Sequence, residues 1–327
     1  MKFCIVGAGA IGGYLGAKLA LAGQEVTLIA RGAHLRAMQE KGLRLRSPDH
    51  HEDWIQDIRA TQHLEEAGPH DVVILALKAQ SVPSIAAQLP MLYHDETMVV
   101  TAQNGIPWWY FRKLETPYAG YRIQSVDPDG SVEAHIPVDR VIGCVVYPAA
   151  AVVAPGVVQH LEGDRFTLGE LDGSKSDRLQ TLAQALRNAG LKAPIRQQIR
   201  NELWVKLWGN LAFNPISALT RATLDQICQD PLTRELARQM MTEAQAIGET
   251  LGVEFGIPLE QRIEGAAKVG AHKTSMLQDI EAGRPTEVDA IVGAVAELGR
   301  LTATPTPHID AVYASVKLLE KTLLSRS

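Results

Sequence analysis

The first residues that could do chemistry are glycines close to the start of the chain. They belong to a six-residue run made of Gly7, Ala8, Gly9, Ala10, Ile11 and Gly12. The short apolar segment 2–6 before this run predicts a β-strand, and segment 14–22 after it predicts a helix that ends at Gly23. The order is therefore strand, glycine-rich turn and helix.

Each of the three glycines in this turn has its own physical role. Gly7 permits a tight turn, Gly9 lets the backbone approach a pyrophosphate, and Gly12 lets the helix pack close to the strand. The N-terminus of the helix then presents N–H groups to the phosphates. A GxGxxG pattern can also be only a structural turn, but the flanking strand and helix favour the binding of a dinucleotide cofactor.

The residue after the second predicted strand, 25–30, bears on which dinucleotide is bound. A carboxylate at this place would accept hydrogen bonds from the ribose 2′-hydroxyl of NAD. The sequence has Arg31 instead. A guanidinium pairs with a 2′-phosphate, so the sequence predicts NADP(H); the alternative is that Arg31 is merely a solvated residue after a strand.

Two further polar residues follow predicted buried strands. The apolar segment 71–77 runs into Lys78, and segment 98–102 leads to Asn104. Ligands of doubly wound sheets bind at the carboxyl ends of strands, so both side chains are expected where chemistry takes place. Asn104 is followed by Gly105, and this dipeptide by itself is commonly a plain turn.

A row of polar residues runs along one predicted helix in the second half of the chain. Lys206, Asn210 and Asn214 are spaced i, i+4 and i+8, so they share one helical face. An apolar stripe on another face consists of Leu203, Trp204, Leu207, Trp208 and Leu211. A solvated surface would explain a polar row, but this bulky stripe leaves little of the helix free, so we expect the row to border a cleft.

Two polar clusters follow towards the C-terminus. Ser275 opens the cluster 275–279, and Glu287 lies in the cluster 286–289. An acid in the first turn of a helix could simply favour the helix dipole. The ten histidines and three cysteines show no metal-ligand spacing, so we predict no bound metal.

The composition sets limits on the class of protein. Hydrophobic residues make up 46% of the 327 residues and charged residues 21%, as in soluble globular proteins. The formal net charge of −5 provides no positive excess for a polyphosphate backbone, so no nucleic-acid partner is expected. The three isolated cysteines fit a reducing, cytoplasmic setting, and the start of the chain lacks the apolar core of a signal peptide.

The chain is long enough for about two domains at roughly 150 residues each. Strand patterns stop after Gly190, so we predict an α/β fold class: a Rossmann-type doubly wound parallel sheet over residues 1–197 and an all-α domain over 198–327. The uncharged run 141–161 meets the length criterion for a membrane helix. Its prolines, glycines and valines instead predict two short buried strands and a turn, so no membrane span is expected.

Taken together, these motifs resemble the ketopantoate reductase (2-dehydropantoate 2-reductase) family over essentially the whole chain. The resemblance rests on the order and spacing of the glycine-rich turn, Arg31 and five further segments, namely 77–79 (LKA), 103–105 (QNG), 201–215 (NELWVKLWGNLAFNP), 275–280 (SMLQDI) and 286–289 (TEVD). It implies an NADPH-dependent reduction of ketopantoate to pantoate, a step of pantothenate and coenzyme A biosynthesis. It also implies a helical second domain that closes over the first, and such domains often pair, so a homodimer is one expectation.

The resemblance implies a role for each matching residue. Lys206 would bind the substrate and act as the general acid, because an ammonium group stabilises negative charge on the carbonyl oxygen and delivers the proton. The other implied contacts are the glycine-rich turn, Arg31, Lys78, Ala149 and Glu287 with the cofactor, Asn104 with cofactor and substrate, Asn210 and Asn214 with the substrate hydroxyls, and Ser275 with the substrate carboxylate.

Two departures from the family pattern leave the 2-oxo acid substrate open. The best-known short members carry a further substrate asparagine shortly after the Asn-Pro pair, and segment 220–224 contains none. Four consecutive aromatics at 108–111 either pack in the core or shape the cleft for a bulkier oxo acid. The alternatives are therefore a paralogous reductase of another 2-oxo acid and a non-catalytic NADP(H) sensor. The presence of Lys206, Asn104 and Glu287 counts against the sensor.

Overall fold

The computed structural model describes residues 1–49 and 51–324, and these residues divide into two compact units. The first unit contains the described parts of 1–103, 111–122 and 129–199. The second contains 104–110, 123–128 and the described chain from 200 onwards. Two short segments from the first half of the chain therefore pack with the helices of the second half.

The strands of the first unit form two sheets. In chain order they are β1 (Lys2–Val6), β2 (Glu25–Ile29), β3 (Leu43–Arg46), β4 (Glu52–Ile55), β5 (Arg59–Thr61), β6 (Val72–Leu75), β7 (Met98–Thr101), β8 (Val141–Val146), β9 (Ala149–Ala154), β10 (Val157–Glu162) and β11 (Phe166–Glu170). The larger sheet has the order β11-β8-β7-β6-β1-β2-β5, and the smaller has the order β4-β3-β10-β9. Neighbours in the larger sheet are parallel except β11, which is antiparallel to β8.

Strand β1 lies inside the larger sheet, between β2 and β6. Its continuous apolar run is buried after the first residue, which is typical of a parallel strand with both faces covered. Val6 pairs with Ile29 of β2 and with Leu75 of β6. Because the three strands end in register, the segments that follow them leave the sheet at one edge.

The helices of the first unit are α1 (Ala10–Leu21), α2 (Gly32–Lys41), α3 (Leu64–Ala67), α4 (Ser131–His135) and α5 (Asp177–Asn188), with short 3-10 turns at Ala79–Ser81, Ala86–Leu92 and Val138–Arg140. Helix α1 begins four residues before the predicted start at Tyr14 and ends one before the predicted Ala22. Its first turn contains glycines at positions where neighbours occupy the space of a Cβ. Val158 Cγ2, for example, lies 2.7 Å from where a Cβ of Gly13 would be.

The prediction for the uncharged run 141–161 is partly wrong. The run is extended, as expected, but it contributes three strands, β8 to β10, and only β8 is buried throughout. Strand β9 is an edge strand, and Val152 and Val153 on it are 42% and 49% exposed. Among the described residues, no helix is long and apolar enough to cross a membrane.

The second unit is helical. Its elements are α6 (Ile199–Thr220), α7 (Leu224–Gln229), α8 (Pro231–Thr250), α9 (Leu259–Lys268), α10 (Ser275–Glu281), a π-turn (Asp289–Gly293), α11 (Ala294–Leu301) and α12 (Pro307–Leu324). The predicted α/β class, with a parallel N-terminal sheet followed by a helical region, is confirmed.

The apolar stripe of α6 forms the centre of this helical unit. Trp204 and Trp208 are fully buried, and both contact the ring of Phe255, at 6.2 and 4.6 Å between ring centroids. The indole Nε1 of Trp208 donates to the carbonyl of Met241 in α8 at 2.6 Å. The stripe therefore fixes the rotation of α6 and, with it, the direction of the polar row.

Candidate active site

The glycine-rich turn of the first unit has a backbone that favours glycine at two of its three glycine positions. Gly7 has a φ of +101°, which favours glycine. A Cβ on Gly12 would lie 2.1 Å from the carbonyl oxygen of Gly7, so the turn closes tightly onto the start of α1. By contrast, a Cβ on the exposed Gly9 would meet nothing within 4 Å. The turn thus leaves open space only at the middle glycine.

The same turn is fastened to the end of β2. The N–H groups of Gly7 and Ala8 both donate to the carbonyl of Ile29, at 3.1 and 2.9 Å. Arg31, two residues beyond Ile29, is exposed and is the N-cap of α2. Arg31, the predicted 2′-phosphate contact, therefore lies two residues after Ile29, whose carbonyl binds the glycine-rich turn.

The remaining residues of the turn complete the start of α1. Ala8 is buried in the core, whereas Ala10 and Ile11 are half-buried. Gly9 is the N-cap and makes no side-chain cap bond, and the first turn of the helix contains no acid. An uncapped N-terminus without negative charge is suited to an anion.

Lys78 and Ala149 occupy other parts of the first unit. Lys78 is half-buried and begins the 3-10 turn after β6. The backbone nitrogen of its neighbour Leu77 lies 2.8 Å from the Cβ position of Gly7, so this segment touches the glycine-rich turn. Ala149 is the half-buried first residue of β9. The adjacent strand β10 packs on α1, where His160 stacks on Tyr14 with ring centroids 4.4 Å apart.

One residue of the first unit that the sequence did not single out is His34 in α2. The N–H of Gly156, in the β9–β10 turn, donates to its Nδ1 at 2.9 Å. Burial lowers the pKa of His34 below the ordinary histidine value, which favours the neutral ring that can accept this bond. His34 therefore joins the smaller sheet to α2, the helix whose N-cap is Arg31.

In the second unit, three of the predicted residues come together in a hydrogen-bonded chain. The Nζ of Lys206 donates to Asn104 Oδ1 at 2.7 Å, and Asn104 Nδ2 donates to Glu287 Oε2 at 3.1 Å. The three residues are separated by 102 and 183 positions in sequence. A carboxylate can only accept, so Glu287 holds the amide nitrogen of Asn104 and turns its oxygen towards Lys206.

The other predicted substrate contacts lie along α6 and α10. Asn210 is half-buried on α6, Asn214 is 5% exposed one turn later, and Ser275 is exposed as the first residue of α10. The residue before it, Thr274, is hydrogen-bonded to the Ser217 hydroxyl of α6. The start of α10 is therefore attached to α6 close to Asn214, but Ser275 makes no described contact with the lysine chain.

The residues at 108–111 are all buried, which favours the packing alternative for them. Each is at most 6% exposed. In the second unit, the Tyr110 hydroxyl accepts from Trp204 Nε1 at 2.7 Å, and the Tyr110 carbonyl accepts from Arg200 Nε at 2.8 Å. Burial raises the pKa of the Tyr110 hydroxyl to about 12. Phe111 belongs to the first unit and packs on Tyr118 and Tyr121.

Gly105 allows its segment to approach Ala290 closely, whereas the Asn-Gly dipeptide in the sequence indicated only a turn. Its φ is +87°, and a Cβ would lie 2.3 Å from the carbonyl oxygen of Ala290. That oxygen accepts the N–H of Ile106 at 2.9 Å. The segment that carries Asn104 therefore lies directly on the segment that carries Glu287. No group of histidine, cysteine and acidic residues in the described chain could hold a metal ion.

Comparisons with known proteins identify relatives over the whole chain. Residues 3–173 match the family model "Ketopantoate reductase PanE/ApbA", and residues 198–320 match "Ketopantoate reductase PanE/ApbA C terminal". A 2-dehydropantoate 2-reductase from Mesorhizobium japonicum is 56% identical over 320 residues, which cover 98% of each chain.

Solved structures resemble the whole chain as well. A crystal structure of a candidate ketopantoate reductase from Ralstonia solanacearum is 44% identical, with a TM-score of 0.93 over 98% of both chains. D-mandelate dehydrogenase, in its ternary structure with NADH and anilino(oxo)acetate, is 22% identical, with a TM-score of 0.85 over 99% of both chains. The second likeness is one of fold alone.

Proposed function

The chain belongs to the ketopantoate reductase family, a family of oxidoreductases, and we propose that it reduces 2-dehydropantoate to pantoate with NADPH, with Lys206 as the proton donor. The observation that carries this proposal is the hydrogen-bonded chain from Lys206 through Asn104 to Glu287. It supports a reduction because it holds a strong proton donor in a defined direction on a helix anchored by two buried tryptophans.

The role of Lys206 follows from the charge that the reaction creates. Hydride addition to the ketone leaves negative charge on the carbonyl oxygen. The Lys206 ammonium stabilises that charge and gives the oxygen its proton. Asn104 accepts a hydrogen bond from Nζ, and Glu287 accepts one from the amide nitrogen of Asn104, which keeps the amide oxygen turned towards Nζ. The three residues therefore hold the Lys206 amino group in one direction.

The first unit fits the phosphates of a dinucleotide. The open space at Gly9 and the uncapped start of α1 suit a pyrophosphate, and the exposed Arg31 suits a 2′-phosphate. Lys78 and the backbone of Ala149 are further proposed contacts. When bound, the reduced nicotinamide would supply the hydride.

The proposed substrate contacts use the polar row of α6. Asn210 and Asn214 would bind hydroxyl groups of the substrate, and the exposed Ser275 at the start of α10 would bind its carboxylate. The product, pantoate, belongs to pantothenate and coenzyme A biosynthesis.

A steady-state assay on the purified protein tests the proposal. Ketopantoate turnover with NADPH should exceed that of other branched 2-oxo acids. Lys206→Ala should lower kcat by about 10²- to 10⁴-fold, the usual contribution of a general acid, with little change in NADPH affinity. The matched control is Lys268→Ala, which removes an exposed lysine from the last turn of α9 and should leave kcat unchanged.

Other results would lead to other functions. Faster turnover of a different 2-oxo acid would identify that acid, and not ketopantoate, as the substrate. The absence of an asparagine in 220–224 is the observation that favours this second candidate function, a reductase of another 2-oxo acid. Tight NADPH binding without turnover of any oxo acid would indicate a sensor. Unchanged kcat in Lys206→Ala would exclude this lysine as the proton donor.

A further inference from the structure

The helical segment that follows Glu287 begins with an irregular turn. Residues Asp289–Gly293 form a π-turn, in which the N–H of Ala294 donates to the carbonyl of Asp289. The carbonyl of Ala290 points out of the helix and accepts the N–H of Ile106. Single π-turns occur often at functional sites. Here the turn attaches the Asn104 segment to the Glu287 segment.

One face of the C-terminal helix α12 holds this segment on both sides of Glu287. Glu320 Oε1 accepts the backbone N–H and the hydroxyl of Thr286, at 2.7 and 2.6 Å. The Tyr313 hydroxyl donates to Asp289 Oδ1 at 2.6 Å, and Lys317 Nζ donates to Asp289 Oδ2 at 2.9 Å. Residues 313, 317 and 320 are spaced i, i+4 and i+7, so they share one face of α12. We call these three residues the α12 clamp.

The Tyr313 ring also lies against the end of the π-turn. A Cβ on Gly293 would come within 2.9 Å of the Tyr313 Cζ, so only glycine lets the ring approach this closely. Burial raises the pKa of the Tyr313 hydroxyl, which therefore remains a hydrogen-bond donor to Asp289 in the neutral range. The clamp thus combines ring packing at one end of the segment with hydrogen bonds at both.

We propose that the α12 clamp positions Glu287, and through Asn104 the Lys206 ammonium, for the chemical step. Glu287 lies between the two clamped residues, Thr286 and Asp289. Its carboxylate decides which way the Asn104 amide is turned, and that amide contacts Nζ. This inference rests on the proposed function. The clamp residues touch neither substrate nor reacting atoms, so they are positioning residues.

The test compares Tyr313→Phe and Glu320→Ala with the wild type. Both variants should lower kcat by about 5- to 50-fold, because small displacements of a catalytic group are costly. KM for NADPH should change less than twofold, and the isotope effect on kcat with 4-deuterated NADPH should rise as the chemical step becomes slower. Glu320→Gln keeps an acceptor oxygen and should restore most of the lost kcat. Ser315→Ala, on the exposed face of the same helix, is the control and should behave as the wild type.

Amide hydrogen exchange provides a readout that does not depend on activity. In Tyr313→Phe, peptides containing Ile106 and residues 289–294 should exchange faster than in the wild type, while those of α8 should not. A lower melting temperature with wild-type kcat and isotope effect at 25 °C would overturn the proposal, and so would unchanged exchange. If the wild type prefers another oxo acid, the comparison is made on that substrate. If it reduces none, the proposed function fails, and the clamp is then judged by exchange alone.

Discussion

The glycine-rich turn of the first unit and the lysine chain of the second are assembled in opposite ways. The turn consists of six consecutive residues, and its backbone shape requires glycine at positions 7 and 12. The lysine chain joins Asn104, Lys206 and Glu287, which lie on three distant segments. A site of the first kind depends on local backbone conformation, and a site of the second kind depends on how its segments pack.

Of the variants that distinguish the lysine chain from the glycine-rich turn, Gly105→Ala should have the largest effect. The new Cβ would collide with the Ala290 carbonyl, displace Asn104 and lower kcat by about 100-fold, since an error of about 1 Å at a reacting group has that cost. NADPH affinity should change little. The control is Gly283→Ala, also at positive φ (+63°) but with nothing within 4 Å. Equal losses in both variants would show that backbone strain, and not the contact with Ala290, is responsible.

The matching experiment on the first unit is Gly9→Ala. The folded chain has room for this Cβ, so the melting temperature should stay the same. If a pyrophosphate lies against Gly9, the Kd for NADPH should rise by about 10- to 100-fold, which corresponds to about 1.4–2.7 kcal/mol of steric overlap. Gly256→Ala, at another exposed glycine with open space, should change neither quantity. Unchanged affinity in Gly9→Ala would place the phosphates elsewhere.

Arg31→Ala should have a smaller effect, confined to the choice of cofactor. Loss of a charge-assisted hydrogen bond to the 2′-phosphate should raise KM for NADPH by about tenfold, the low end for such bonds, and leave KM for NADH nearly constant. Arg36→Ala removes another exposed arginine of α2 and should leave the ratio of the two KM values as it is. A constant ratio in both variants would refute the 2′-phosphate role.

The smallest effect concerns stability and pH in the first unit. Buried His70 contacts the Gly68 carbonyl at 2.8 Å and the Thr27 hydroxyl at 3.1 Å, and burial lowers its pKa. The unfolded chain then binds the proton more readily, so stability is complete above about pH 6.5 and falls as the pH drops below it. Between pH 7.5 and 5.5, the melting temperature of His70→Gln should therefore fall less than that of the wild type. Equal losses would contradict this account.

Sequence patterns predicted elements with strong local signals better than elements at sheet edges. The strand, turn and helix around Gly7 were expected, although α1 begins at Ala10, four residues earlier than predicted, and includes the last glycine of the turn. For 141–161 two buried strands were predicted where the structure has three, and edge strand β9 shows why. Its alanines and valines resemble a buried strand, yet it lies at an edge and is partly exposed. Apolar residues allow a strand to be buried, but the elements that pack beside the strand decide whether it is buried.

The same distinction applies to the candidate active site. The spacing of Lys206, Asn210 and Asn214 predicted a shared face of α6, because helical periodicity is local. Nothing in the order of residues indicated that Asn104 packs with the helical unit, or that its amide lies between Lys206 and Glu287. The residues of the α12 clamp had no signal either, since they act only through hydrogen bonds to Thr286 and Asp289, which are distant in sequence.

By itself the sequence determined the parallel sheet, the helical second half, the glycine-rich turn and the residue types available for chemistry. These properties follow from hydrophobic periodicity and from backbone conformations that only glycine adopts. The tertiary structure alone decided which distant side chains meet. Gly105 lies on Ala290, and Asn104 joins Lys206 to Glu287. Both contacts depend on the positions that the buried stripe of α6 and the π-turn give to these residues. Hydrogen bonds between segments a hundred or more residues apart depend on packing, and packing is a property of the folded chain.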